Sequence, residues 1–88
     1  TKLHDIITVY PNPTADFVML SFESKSLEKL EVKVFNASLG MLNQELTFNK
    51  NELSFSEKID ISNLKTGVYI IEIKQGNQRA FRKIIKGQ

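Results

Sequence analysis

The chain has 88 residues and a net charge of +2, with 41% hydrophobic and 25% charged residues. This length suffices for one small domain with a single core, but not for two. The chain contains no cysteine, which excludes disulfide bonds and thiolate metal sites. No apolar run approaches the roughly 20 residues that a membrane-spanning helix needs.

The start of the chain predicts that it is a piece of a longer protein. It begins at Thr1 without a methionine, and no basic and then apolar leader follows. We therefore expect this sequence to carry no export signal of its own. We predict that residues 1–5 are a linker from a preceding domain and that residues 6–88 form the folded domain.

Short segments of alternating polarity follow one another along the chain, as is typical of strands with one buried face. The predicted strands are residues 6–10, 17–22, 30–35, 41–48, 53–59, 68–74 and 79–86. Turn residues separate them, and no stretch makes a convincing amphipathic helix. The positions expected to point inward on the fourth and fifth strands are Leu42, Leu46, Phe48, Leu53, Phe55 and Ile59. This pattern predicts an all-β, immunoglobulin-like β-sandwich of about seven antiparallel strands.

The stretch 59–73 predicts a tight corner between the fifth and sixth strands. Leu64 is the apolar residue inside this corner, and we expect it to close the end of the core. Gly67 follows at a position where a turn calls for an unusual backbone conformation. Tyr69 begins the next strand, as in the tyrosine corner of immunoglobulin-like sandwiches, where the hydroxyl binds the backbone upstream. We expect Tyr69 to hold the corner in this way.

No group of residues in the sequence has the composition of a catalytic or cofactor site. The one histidine, His4, lies beside Asp5 in the predicted linker, where we expect an exposed pair. The glycines occur singly, so no phosphate-binding loop is present, and no alternating acidic run suggests calcium. Residues 36–38 match a glycosylation sequon, but their residue types also suit a turn. We predict that the domain is not an enzyme and binds no cofactor.

The end of the chain is basic. No acid follows Glu72, whereas five basic residues do: Lys74, Arg79, Arg82, Lys83 and Lys86. Such a run is compatible with nucleic-acid binding, but no aromatic residues for base stacking are interleaved in the way that single-strand binders use them. We favour an exposed edge strand, on which charged side chains prevent unwanted pairing.

Three segments in order resemble one known family. They are residues 10–14 (Tyr-Pro-Asn-Pro-Thr), residues 59–69 with the Leu64-x-x-Gly67-x-Tyr69 pattern, and residues 83–86 (Lys-Ile-Ile-Lys). Together with the hairpin ending at Gly40, they resemble the C-terminal sorting domain of type IX (Por) secretion cargo in Bacteroidetes. The positions that we expect to define this fold are Pro11, Asn12, Pro13, Gly40, Leu64, Gly67 and Tyr69.

This resemblance implies a targeting role. A cargo domain would precede the sorting domain in the same chain and would cross the periplasm to the outer membrane. The type IX translocon and its shuttle components would recognise the domain, and a surface sortase-like protease would then remove it. The cargo would remain at the cell surface or be secreted.

The last strand is the segment that we expect this machinery to read. An edge strand offers backbone groups for strand addition, and its charge would attract an acidic partner. The predicted recognition residues are Arg79, Arg82, Lys83, Ile84, Ile85 and Lys86. The same edge could pair with a second copy of the domain. An immunoglobulin-like or fibronectin-like accessory module for carbohydrate binding or domain spacing is the alternative, although the chain has no tryptophan for stacking on sugars.

Overall fold

The computed structural model describes residues 3–87, apart from the side chain of His4, and the prediction for that side chain lies outside the described residues. Seven strands and one helical turn make up this part of the chain. In chain order they are α1 (Leu3–Ile6), β1 (Thr8–Tyr10), β2 (Phe17–Glu23), β3 (Leu30–Asn36), β4 (Leu42–Phe48), β5 (Ser54–Asp60), β6 (Gly67–Gln75) and β7 (Gln78–Lys86).

The strands form two antiparallel sheets that pack face to face. One sheet has the order β1-β2-β5, and the other has the order β4-β3-β6-β7. In immunoglobulin-like terms, β1, β2 and β5 correspond to strands A, B and E, and β3, β6 and β7 correspond to C, F and G. β4 extends the second sheet, as the C′ strand does in variable-type domains. The predicted all-β sandwich of seven antiparallel strands is confirmed.

The core lies between the sheets and is built by strict alternation along the central strands. In β3, Leu30, Val32 and Val34 are fully buried, and the residues between them face outward. β2 and β6 alternate in the same way, which gives each sheet one buried face. Burying a single leucine, isoleucine or valine side chain stabilises the fold by about 1.5–3 kcal/mol.

Two predicted core positions, Leu42 and Leu53, are instead exposed by 48% and 55%. The register of β4 against β3 shifts between Val34 and Phe35, because β4 contains one extra residue at that point. A shift of one residue moves a side chain to the other face of a sheet, so Leu42 pairs with Phe35 on the outer face. Leu53 lies just before β5 and outside the ladder.

The N-terminal residues pack more closely than the sequence predicts. The first strand begins at Thr8, and the residues before it form the single turn of α1. Leu3 is buried in the core, and its N–H donates to Oε1 of Gln78 at 2.5 Å. The division between linker and domain stays a prediction, with Thr1 and Lys2 outside the described residues and Leu3 part of the packed structure.

Candidate functional site

The corner between β5 and β6 is closed by short-range hydrogen bonds. The Tyr69 ring is buried, and its hydroxyl donates to the backbone carbonyl of Lys65 at 2.6 Å, so the predicted tyrosine corner is confirmed. Leu64 is half-buried and packs against the core. Hydrogen bonds from the Ser62 side chain and backbone hold the pKa of the Asp60 carboxyl below its ordinary value of 3.8. Asp60 therefore begins the corner as a carboxylate at neutral pH.

The β3–β4 turn uses its polar residues and glycine as the sequence predicts. Oδ1 of Asn36 accepts hydrogen bonds from the N–H groups of Ser38 and Leu39, at 2.9 and 3.0 Å. Gly40 has a φ of 67°, in the left-handed region that favours glycine. Gly67 has a φ of 158°, a positive value that residues with a side chain rarely adopt, so a substitution there is strained although a Cβ would meet nothing closer than 4.0 Å. The predicted unusual backbone conformation is therefore present at Gly67, and its role in defining the fold stays a prediction.

The segment with the two prolines lies along the outer edge of β7. Nδ2 of Asn12 donates to the carbonyl of Lys83 at 3.2 Å, and Oδ1 of Asn12 accepts from the N–H of Ile85 at 2.9 Å. Thr14 continues this contact. Its N–H donates to the carbonyl of Ile85 at 2.9 Å, and its carbonyl accepts from the N–H of Gly87 at 2.7 Å. The side chain of Asn12 and the backbone of Thr14 thus make the hydrogen bonds that a neighbouring strand would make. The half of the β7 edge that ends at Lys86, which we call the far half, is therefore covered.

The near half of the β7 edge lacks a paired strand, and α1 packs against β7. β6 and β7 join through a two-residue turn at Gln75–Gln78, which directs the N–H groups of Arg79, Phe81 and Lys83 away from β6. Among the described residues, which leave out the side chain of His4 on α1, no acceptor for those three N–H groups is present. The carbonyls of Phe81 and Lys83 already accept from Arg82 and Asn12, so the open part of residues 79–83 is mainly these N–H groups, and strand addition to the folded domain is limited to this stretch.

The side chain of Arg82 acts inside the domain. Its Nη2 donates to the carbonyl of Ile7 at 2.9 Å, and its Nη1 donates to the carbonyl of Phe81 at 2.8 Å. Ile7 lies between α1 and β1, so Arg82 ties the N-terminal segment to β7.

The remaining predicted recognition residues divide by burial. Arg79, Lys83 and Ile85 are exposed, and all three face outward from the four-stranded sheet. Ile84 and Lys86 are 1% and 7% exposed. A partner that docks on the folded domain can contact the first three side chains but not the last two. The recognition role of all these residues stays a prediction.

A buried lysine is a feature that the sequence did not reveal. Lys50 is 3% exposed, and its Nζ donates to the carbonyls of Ser24 and Ser26, both at 2.8 Å. The same ammonium lies 5.8 Å from the centre of the Phe22 ring. It holds the crossing from one sheet to the other in place. Within its own polar turn, residues 49–52, nothing distinguishes this lysine from an exposed one.

The described side chains include no group of three or more histidine, cysteine, aspartate or glutamate residues placed to hold a metal ion. A cleft of about 620 Å³ opens beside α1, where Leu3, Ile6 and Leu53 meet the polar crossing segment at Ser24. No helix in the described part of the chain is long and apolar enough to cross a membrane.

Comparison with known proteins identifies the family. The model of the secretion system C-terminal sorting domain matches residues 8–87, which is nearly the whole chain. The chain is also 33% identical over 76 residues to a protein named ulvan lyase NLR42 from Nonlabens ulvanivorans. That match covers 86% of this chain but only 13% of the relative, so the chain spans a small part of that protein's length. The chain belongs to the type IX secretion C-terminal sorting domains, which are non-catalytic sorting signals.

Proposed function

We propose that this domain directs a cargo fused to its N-terminus from the periplasm through the type IX translocon, and that a surface sortase-like protease then removes it. The match to the sorting-domain family over residues 8–87 carries this proposal. Such a domain implies a fused cargo, recognition by the type IX system, and export to the cell surface or the medium. Periplasmic transit, the shuttle components and the cleavage step are the parts that we add.

The open half of β7 is the feature that we propose the translocon reads. Residues 79–83 offer three unpaired N–H groups at the edge of the four-stranded sheet. A partner strand laid along this edge would gain main-chain hydrogen bonds, and the side chains that alternate along it would give specificity.

The outward side chains give this edge a distinct surface. Arg79 and Lys83 supply positive charge, and Phe81, 51% exposed, lies between them in the sequence. Arg79 lies 3.7 Å from Glu72, a surface pair that leaves the guanidinium more than half exposed. An acidic partner surface with one apolar pocket fits this pattern.

The covered half of the β7 edge is not available for strand addition by a partner. Residues beyond Lys83 are bonded to Asn12 and Thr14, so their backbone is satisfied within the domain. The tyrosine corner fixes the start of β6, and β6 in turn pairs with β7 along its whole length. The partner therefore meets a strand held in place by the domain.

Export of a reporter fused to the domain tests this proposal. We would replace Arg79 and Lys83 together with glutamine, and compare this variant with Lys25→Gln plus Lys29→Gln, which removes the same charge from an exposed connecting segment. We expect the first pair to reduce the exported fraction at least about tenfold and the second pair to leave it unchanged. Both variants should keep the thermal midpoint of the wild type, because exposed substitutions cost about 0.5 kcal/mol or less. Equal export by the two variants would contradict recognition through β7.

A further inference from the structure

The outer face of the four-stranded sheet is apolar at the end next to the β5–β6 corner. Phe35 on β3 is the register partner of both Leu42 on β4 and Ile70 on β6. Val68 and Ile85 form the next pair toward the corner. Leu42, Val68 and Ile85 are exposed, and Phe35 and Ile70 are half-buried. These five side chains form an apolar patch of the kind that marks an interaction site on a soluble domain.

Opposite charges lie side by side on the other half of this face. Glu31 on β3 is the register partner of Lys74 on β6, and Lys33 on β3 is the register partner of Glu72 on β6. The line between β3 and β6 therefore has an acid on one side wherever it has a base on the other. A face with this pattern is complementary to itself after rotation by 180° about that line.

The face as a whole is almost neutral. Its charged residues are Glu31, Lys33, Glu45, Glu72, Lys74, Arg79 and Lys83. Two of the bases are ion-paired within the domain, Lys33 with Glu45 at 3.8 Å and Arg79 with Glu72 at 3.7 Å. Three acids against four bases favour neither a strongly acidic nor a strongly basic partner. The alternation of charge is then the feature that a partner can match.

A second copy of the domain, turned about the line between β3 and β6, matches this alternation. Glu31 of one copy lies over Lys74 of the other, and Lys33 lies over Glu72. In the apolar half, each Phe35 meets Ile70 of the other copy. Two sheets that pack face to face keep their strands within about 30° of each other, and pairs beside the rotation axis are displaced least by such an angle.

The outer strands fit the same arrangement. Their facing pairs are Thr47 with Arg79, Glu45 with Phe81, and Leu42 with Lys83. In these rows no acid lies over an acid and no base lies over a base. The apolar stem of Lys83 can cover Leu42 while its ammonium reaches solvent at the edge of the sheet.

The size of the face is sufficient for a weak dimer. Four strands about 4.8 Å apart, each about seven residues long, give a face of about 19 by 24 Å. Two such faces bury roughly 1,000 Å² in total, which is at the low end of specific interfaces. We therefore expect reversible association rather than a permanent dimer.

We propose that the outer face of the β4-β3-β6-β7 sheet is a dimerisation surface that binds the same face of a second copy of the domain. The apolar patches supply contact area, and the charge pairs fix the orientation. This proposal does not rest on recognition by the translocon. The dimer covers the outward side chains of β7, so a domain docked on the translocon through those side chains is a monomer.

Sedimentation equilibrium of the domain over a range of concentrations tests the proposal. Leu42→Lys removes an apolar contact and places a base over Lys83 at two symmetric positions, so the dissociation constant should rise at least about tenfold. Leu27→Lys is the matched control, because Leu27 is 55% exposed, close to the 48% of Leu42, but lies in the segment between β2 and β3. It should dimerise like the wild type. A wild type that stays monomeric at every concentration, or equal association of the two variants, would overturn the proposal.

Exchange of one charge pair tests the orientation of the dimer. Glu31→Lys alone and Lys74→Glu alone each bring like charges together across the axis at two positions, and each should weaken the dimer about threefold or more. The double variant restores opposite charges and should dimerise like the wild type. Thermal midpoints measured in parallel show that each variant is folded. Single variants that match the wild type, or a double variant that associates no better than the singles, would contradict this orientation.

Nuclear magnetic resonance spectra recorded on dilution of the labelled domain locate the contact. We expect concentration-dependent shifts at Phe35 and Ile70, and none at Met19 in the other sheet. Shifts confined to the outer edge of β4 or of β7 would indicate pairing of edge strands and would overturn the face-to-face contact.

Discussion

Removal of the Tyr69 hydroxyl tests how the corner supports the domain. In Tyr69→Phe the ring stays in the core, but the 2.6 Å hydrogen bond to the Lys65 carbonyl is lost. A bond of this kind contributes about 0.5–1.5 kcal/mol net. In a domain of this size, 1 kcal/mol moves the thermal midpoint by about 4–8 °C. We therefore expect the midpoint to fall by about 2–12 °C.

Tyr69→Ala also removes the ring, which is 2% exposed. Truncation of a buried aromatic side chain to alanine costs about 3–5 kcal/mol before the hydrogen bond is counted. The whole stability of a small domain is about 5–15 kcal/mol, so this change removes a large fraction of it. We expect Tyr69→Ala to lower the thermal midpoint at least as strongly as it lowers export of a fused reporter.

Urea and thermal unfolding followed by circular dichroism measure both effects. Tyr10→Phe is the matched control, because Tyr10 is 45% exposed and has no hydrogen bond from its hydroxyl to the described residues. It should unfold like the wild type. A Tyr69→Phe variant as stable as the control would refute the role assigned to the hydroxyl. Loss of export with unchanged stability would mean that a partner contacts Tyr69 directly.

Three further predictions concern other contacts of the fold. Asn12→Ala should destabilise the domain by about 1–2 kcal/mol in urea unfolding, because two hydrogen bonds to β7 are lost, whereas exposed Asn49→Ala should cost less than about 0.5 kcal/mol. Lys50→Met should cost about 1–3 kcal/mol, because the carbonyl of Ser24 loses the ammonium donor and that of Ser26 keeps only a 3.5 Å bond from Nε2 of Gln75, and exposed Lys29→Met should show no such loss in the same assay. The lowered pKa of Asp60 means that its carboxylate stabilises the folded state above about pH 3.8, and that this contribution disappears as the pH falls through the folded-state pKa. The difference in thermal midpoint between the wild type and Asp60→Ala should therefore be largest near pH 7 and shrink below pH 3.8, and a difference independent of pH would contradict this.

The number of strands, their positions along the chain and most of the core could be predicted from the sequence, because alternation along a half-buried strand is a local signal. Val32 and Val34 are buried as expected. Leu42 is not, since the extra residue in β4 depends on how two strands pair rather than on either strand alone. The helical turn at α1 was missed for a similar reason. Leu3 is held by the core and by Gln78, which lies 75 residues away in the sequence.

The candidate site could be predicted less completely. The tie between Tyr69 and Lys65 spans four residues and follows from the corner itself. The hydrogen bond that covers the end of β7 joins the Asn12 side chain to the N–H of Ile85, 73 residues away in the sequence. No local sequence pattern indicates that Asn12 would bond to β7. The sequence therefore predicted an open last strand, whereas only residues 79–83 are open.

Export that depends on the type IX translocon is the central claim, and one measurement tests it directly. A reporter with an ordinary signal peptide is fused in front of the domain and produced in a Bacteroidetes host, with and without a working type IX translocon. The fraction of reporter outside the cells is then compared. We predict that the reporter reaches the surface or the medium in the intact host and stays inside when the translocon is disrupted. Retention in the intact host, or equal export in both hosts, would contradict the assignment of this domain as a sorting signal.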